Sequence, residues 1–96
     1  MTLEEFKISV IDQNPPADIP TLAKALWFDA KGEWNAAHEV AQAIDTPDGA
    51  WVHAYLHRKE GDDPNAAYWY RLAKRKMPSY SLEQEWNEIA GDLLKT

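Results

Sequence analysis

The sequence predicts an all-α protein built from two stacked helix-turn-helix hairpins, with an additional helix at each end. Apolar residues recur at helical spacing along most of the 96-residue chain, which is the primary signal for amphipathic helices. Glycine and proline interrupt this pattern where helices end and turns begin. Two segments also share a pattern: Gly32 and Gly61 are each followed by an acidic residue and then by Asn-Ala-Ala. A period of about 30 residues is typical of stacked helical hairpins.

Composition indicates an ordinary globular protein that forms one domain over residues 1–96. Hydrophobic residues make up 45% and charged residues 27% of the chain, which suits a packed core. A net charge of -6 argues against nucleic-acid binding, because that depends on positive groups that neutralise phosphates. No apolar run approaches the ~20 residues that a membrane span needs, so we expect no membrane partner. The start of the chain lacks the pattern of a signal peptide, and we expect a cytoplasmic protein.

The first three helices are predicted from their caps and stop signals. Thr2 and Glu5 match a capping box, and the Pro15-Pro16 pair ends the helix that follows them. Asp18 is a candidate N-cap for the second helix, which ends at Gly32 because glycine readily adopts the left-handed conformation at helix ends. The predicted ranges are 3–12, 19–31 and 33–44.

The last three helices follow the same logic. Thr46 or Asp48 is the candidate cap of the fourth helix. Asp63 is the candidate N-cap of the fifth, with a proline at its first position, and basic residues at its end complement the helix dipole. Ser81 and Gln84 match a capping box. A stripe of apolar residues follows on one face of the sixth helix, and the acidic residues, including Glu85, are assigned to the opposite face. The predicted ranges are 49–60, 64–76 and 82 to the chain end.

The hairpin pattern resembles the tetratricopeptide repeat and its Sel1-like relatives over about residues 19–78. The residues that carry the likeness fall at the family's spacing of turn glycine, small, aromatic, small and terminal proline: Gly61, Ala66, Tyr70, Ala73 and Pro78. The resemblance implies a right-handed stack in which the first helix of each hairpin lines a concave surface. The segment WVHAYLHRKEGD…NAAYWYR is also similar to small bacterial proteins, a likeness that implies no activity.

If the resemblance holds, the first helices form a binding groove. Trp51, Tyr55 and Arg58 follow one another at i, i+4 and i+7, and aromatic residues and arginine are what binding hot spots favour. The preceding hairpin would add Leu22, Leu26 and Asp29 to this surface. The alternative is that Trp51 and Tyr55 belong to the core, covered by a terminal helix.

The histidines suggest a second kind of site. His53 and His57 are one helical turn apart, a spacing that can chelate a transition metal, and His38 and Glu39 lie on the neighbouring helix. Imidazole and carboxylate ligands suit zinc or iron, and the same side chains could serve as general bases. The chain has no HExxH motif, so the alternative is that the histidines form hydrogen bonds in helix packing. We therefore expect no metal and no cofactor.

Charged residues near the second turn suggest a third possibility. Arg58 and Arg71 could hold a small anionic ligand, because arginine binds carboxylate and phosphate in a bidentate manner. The alternative is a set of ion pairs that hold the turn. Taken together, the sequence favours a non-catalytic interaction module that binds a protein segment or a second copy of itself. An enzyme that uses His38, Glu39, His53 and His57 is the main alternative, and an anion binder is the other.

Overall fold

The computed structural model describes residues 1–95, and this part of the chain is helical and contains no β-strand. The all-α prediction is therefore confirmed. None of the helices in residues 1–95 combines the length and the apolar character needed to cross a lipid bilayer. The helices are α1 (Leu3–Ser9), α2 (Thr21–Ala30), α3 (Trp34–Gln42), α4 (Pro47–Glu60), α5 (Asp63–Leu72) and α6 (Leu82–Leu93).

Most predicted helix starts are observed with side-chain caps. Thr2 and Glu5 form a reciprocal capping box at α1, and the Thr46 hydroxyl accepts from the backbone N–H of Gly49 at α4. Two predicted caps are wrong. The cap of α5 is Asp62 rather than Asp63. Asp18 does not cap α2, because this helix begins at Thr21 with Pro20 in the N-cap position, and no side chain caps it.

Some helices end earlier than predicted. The helix predicted at 3–12 ends at Ser9, and the helix predicted at 64–76 ends at Leu72. In the second case Lys74 adopts a left-handed conformation with φ 61°, and the Arg75 N–H donates to the Tyr70 carbonyl at 3.0 Å. This reversal takes the last basic residues out of the helix, so only Arg71 lies in its final turn.

The helices form two hairpins joined side by side. Helix α2 packs against α3, α4 packs against α5, and α3 joins the two pairs by packing against α4. Helix α6 turns back across α2 and α4, and α1 packs against α6. The small residues Ala66 and Ala73 are buried, as expected where helices approach closely. The structure confirms the helical content, and the right-handed tetratricopeptide-type stacking stays a prediction.

The core runs through all six helices and centres on α4. Every residue of α4 from Gly49 to His57 is buried, so this helix is surrounded on all sides rather than amphipathic. Other large buried side chains complete the core from α1, α2, α5 and α6. They include Phe6, Leu26, Trp27, Tyr70, Trp86 and Ile89.

The turn between α4 and α5 depends on Gly61, which has φ 88° at the end of α4 as the sequence predicts. Alanine at this position meets no neighbouring atom, but its Cβ disfavours the left-handed conformation. Gly61→Ala should therefore lower the free energy of unfolding by about 1 kcal/mol, measured by thermal or urea unfolding. Gly61→Asn is the matched control and should cost less, because asparagine tolerates this conformation. An unchanged stability in Gly61→Ala would contradict the account.

Candidate functional site

Helix α6 covers the face of α2 and α4 on which the sequence analysis placed a groove. Of the two alternatives for Trp51 and Tyr55, the structure shows the buried one, since each side chain is only 2% exposed. Leu22, Leu26 and Asp29 are buried beside them. With α6 in place, these five residues therefore do not form the open hot-spot surface expected of the groove, although Tyr55 and Asp29 line a cleft beside it.

Glu85 holds α6 in this position. Its carboxylate is fully buried and accepts from the Tyr70 hydroxyl at 2.7 Å and from Trp51 Nε1 at 3.2 Å. Arg58 Nη1 donates to the same carboxylate at 2.9 Å, and its other terminal nitrogen donates to the Tyr80 carbonyl. Burial and the neighbouring carboxylate raise the pKa of Tyr70, which keeps its hydroxyl a donor.

This network corrects the placement of Glu85 on the polar face of the last helix. Glu85 lies between Leu82 and Ile89 at i+3 and i+7, so helical periodicity put it on the apolar stripe and only its charge suggested exposure. The network also bears on the anion-binding alternative. The charge of Arg58 is already matched by Glu85, while Arg71 is exposed on α5.

What stays open near the expected groove is a cleft among α1, α2, α4 and α6. At its floor the Tyr55 hydroxyl donates to Asp29 Oδ2 at 2.9 Å, and Lys59 Nζ lies 2.8 Å from Asp29 Oδ1. Burial and Asp29 raise the pKa of Tyr55, so it remains a neutral donor. We call this the α1/α6 cleft; it is lined by Lys7, Val10, Asp29, Ala30, Tyr55, Lys59, Leu82, Glu83 and Trp86.

On the other side of α4, the three histidines of the chain lie together. We call His38, His53 and His57 the histidine cluster. The ring centroid of His38 lies 4.5 Å from that of His53 and 5.2 Å from that of His57. The ring centroids of His53 and His57, both on α4, are 4.8 Å apart. Glu39, which the sequence analysis grouped with them, is exposed and lies outside this cluster.

Two tryptophans enclose the histidine cluster. Trp34 stacks on His38 with ring centroids 4.9 Å apart, and Trp69 stacks on His53 at 3.9 Å. Burial and the two neighbouring imidazoles lower the pKa of His53 to about 4. Burial is also the main reason that the pKa of His38 is lowered. Both rings are therefore neutral at pH 7.

His57 is oriented by a carboxylate that the sequence analysis did not single out as a site residue. Its Nδ1 lies 2.6 Å from Glu60 Oε2, so Nδ1 donates to the carboxylate and Nε2 is the ring nitrogen left for other partners. Asn65 Nδ2 lies 3.4 Å from that Nε2, a long contact for a hydrogen bond. Glu60 follows His57 by three residues on α4, and this i, i+3 spacing is the signal that could have identified it.

No protein-family model, curated protein or solved structure matches this chain. The likeness to tetratricopeptide and Sel1-like repeats therefore stays a prediction from the hairpin pattern. Proposals about function rest on the α1/α6 cleft and on the histidine cluster.

Proposed function

We propose that the chain is a small, non-catalytic cytoplasmic interaction module that binds a protein segment at the α1/α6 cleft. The observation that carries this proposal is the cleft itself, a cavity of about 400 Å³. Cavities of roughly 300–1,000 Å³ with apolar walls and a few polar groups are typical of binding sites. Two residues from the predicted groove, Asp29 and Tyr55, line it, which supports placing the binding site on this side of the hairpins.

The walls of the cleft suit an apolar anchor residue from the partner. Val10, Leu82 and the edge of Trp86 supply apolar surface at its sides. The α1 region that forms one wall also exposes Ile8 and, just beyond the helix, Ile11, at 66% and 84%. Binding energy in protein interfaces concentrates where such anchors fill pockets that exclude water.

The charges of the cleft favour a basic residue next to the anchor. Asp29 is 3% exposed, and its partner Lys59 reaches it from the solvent side with a side chain that is 40% exposed. A lysine or arginine of a partner can take the place of Lys59 on this carboxylate. The net charge of -6 also favours approach of a basic segment over an acidic one. If the chain self-associates, we expect a second copy to bind in the same cleft.

The test fills the cleft with a large side chain. Peptides selected from a displayed random library against the wild-type chain should carry an apolar residue beside a basic one. Ala30→Trp, at the cleft, should weaken their binding by about tenfold or more, since it removes the space for the anchor. Ala43→Trp, at the exposed C-cap of α3, is the matched control and should bind as the wild type does.

Sedimentation of the wild type at increasing concentration separates a foreign segment from self-association. If the apparent molecular mass rises with protein concentration, and Ala30→Trp reduces this rise, the cleft is occupied by a second copy of the chain. Selected peptides that bind Ala30→Trp as tightly as the wild type would contradict the cleft. A failure to select any peptide, together with a monomer at all concentrations, would also contradict it.

A further inference from the structure

The histidine cluster brings together the donor atoms of a metal site from two helices. One ring nitrogen from each of His38, His53 and His57 lies within 4.8 Å of the other two. In a tetrahedral zinc site, with Zn–N distances of about 2.0–2.1 Å, two ligand nitrogens are roughly 3.4 Å apart. No pair of these nitrogens is therefore more than about 1.4 Å wider than a tetrahedral site requires, and small shifts of the rings would close that gap. These are also the only histidines in the chain.

The state of the rings suits ligation. A histidine binds a metal through an unprotonated ring nitrogen, and each of the three rings has a second nitrogen that can carry the ring proton. The Glu60 carboxylate accepts from His57 Nδ1 and so leaves Nε2 as the ring nitrogen available to a metal. Carboxylates in this role orient metal-ligating histidines and strengthen their basicity in known sites.

The walls of the cluster reduce the freedom of the rings. Trp34 donates from Nε1 to the Leu56 carbonyl at 2.9 Å, which holds its ring against His38 and near His57. Trp69 lies flat on His53 from α5. Rings that are already held in place lose less conformational entropy when they bind.

We propose that His38, His53 and His57 bind one late first-row divalent metal ion such as Zn²⁺, with Glu60 as the positioning residue of His57. Three neutral nitrogen donors favour zinc, cobalt, nickel or copper over calcium and magnesium, which prefer oxygen. Three protein ligands also leave one coordination position for water or a small ligand, as in catalytic rather than structural zinc sites. This proposal is independent of the α1/α6 cleft, because His53 and His57 lie on the side of α4 that faces away from Tyr55.

The experiment titrates Co²⁺ and then Zn²⁺ into the tag-free, chelator-treated chain. We expect one Co²⁺ per chain with visible absorption typical of a nitrogen-ligated site, and displacement of Co²⁺ by Zn²⁺. Zn²⁺ should also raise the melting temperature in a concentration-dependent manner, since the folded state brings the three histidines together and should bind the ion more tightly than the unfolded chain. His38→Gln and His57→Gln should each weaken Zn²⁺ binding by at least about a hundredfold. His38 is the more informative position because it is half-buried and its replacement is the easier one to accommodate.

Two carboxylate variants test the positioning role. Glu60→Gln should weaken Zn²⁺ binding by roughly 10–100-fold while keeping one ion per chain. Glu39→Gln is the matched control, since Glu39 is exposed next to His38, and should leave the affinity unchanged.

If a histidine variant fails to fold, nuclear magnetic resonance of the histidine ring nitrogens in the wild type decides the matter. Zn²⁺ should then shift one nitrogen of each of the three rings. Absence of Co²⁺ and Zn²⁺ binding by the wild type, ring signals that do not move, or unchanged affinity in folded His38→Gln and His57→Gln would each overturn the proposal.

Discussion

Replacing Glu85 with alanine should lower the free energy of unfolding by about 3–5 kcal/mol, the usual cost of removing one partner of a buried ion pair. The substitution leaves the Arg58 guanidinium, the Tyr70 hydroxyl and the Trp51 indole N–H without the acceptor they share. A buried donor that loses its partner costs more than a hydrogen bond contributes when it is made. The effect should therefore exceed that of an ordinary surface substitution on α6.

Urea unfolding followed by circular dichroism measures this effect. Glu83→Ala is the matched control, because it removes the same group from the exposed first turn of the same helix, and should cost less than about 1 kcal/mol. Glu85→Gln should fall between the two, since it keeps an acceptor oxygen and the shape of the side chain but loses the charge. If Glu85→Ala costs no more than Glu83→Ala, the buried network does not hold α6 in place.

Gly49→Ala should destabilise the protein by about 1–3 kcal/mol through overpacking, although alanine is the better helix former. Gly49 lies in the first turn of α4 and is buried. A Cβ there would lie 2.0 Å from the Ile44 carbonyl oxygen. That oxygen is held in place by the Thr46 N–H, which donates to it at 3.0 Å, so the backbone of the turn has to shift.

Gly91→Ala is the matched control within α6. A Cβ at position 91 meets no atom within 4 Å, so this change should stabilise the protein by about 0.5–1 kcal/mol. The two substitutions are chemically identical, and their opposite signs in thermal unfolding are the expected result. A stabilising effect of Gly49→Ala would show that the turn before α4 is looser than the structure has it.

The two candidate sites use different faces of one helix. Residues 53 and 57 of α4 lie in the histidine cluster, while residues 55 and 59 line the α1/α6 cleft. Alternate positions along a helix point to roughly opposite sides, because each residue advances about 100°. A substitution at one site can therefore be tested for its effect on the other, and we expect the peptide affinity of the cleft to be the same in His38→Gln.

Local features of the sequence determined the helical elements. Thr2 and Ser81 each cap a helix as predicted, and Thr46, one of two candidates, caps α4. A hydroxyl followed by free backbone N–H groups is a short-range arrangement, so the sequence shows it. Gly61 has the predicted positive φ for the same reason. The i, i+4 spacing of His53 and His57 was also enough to place both on one face of a helix.

Only the tertiary structure decided which faces of the helices meet. Helix α5 ends where Lys74 adopts a left-handed conformation and reverses the chain. After this reversal the Arg75 guanidinium lies over Trp51, 3.4 Å from the ring centroid. Trp51 and Tyr55 are buried because α6 covers them, and the buried contacts of Glu85 hold α6 in that position. His38 joins the other two histidines because α3 packs against α4. Contacts between residues far apart in the chain set these outcomes. Helical periodicity shows which side of a helix is apolar, but it does not show which other helix covers that side.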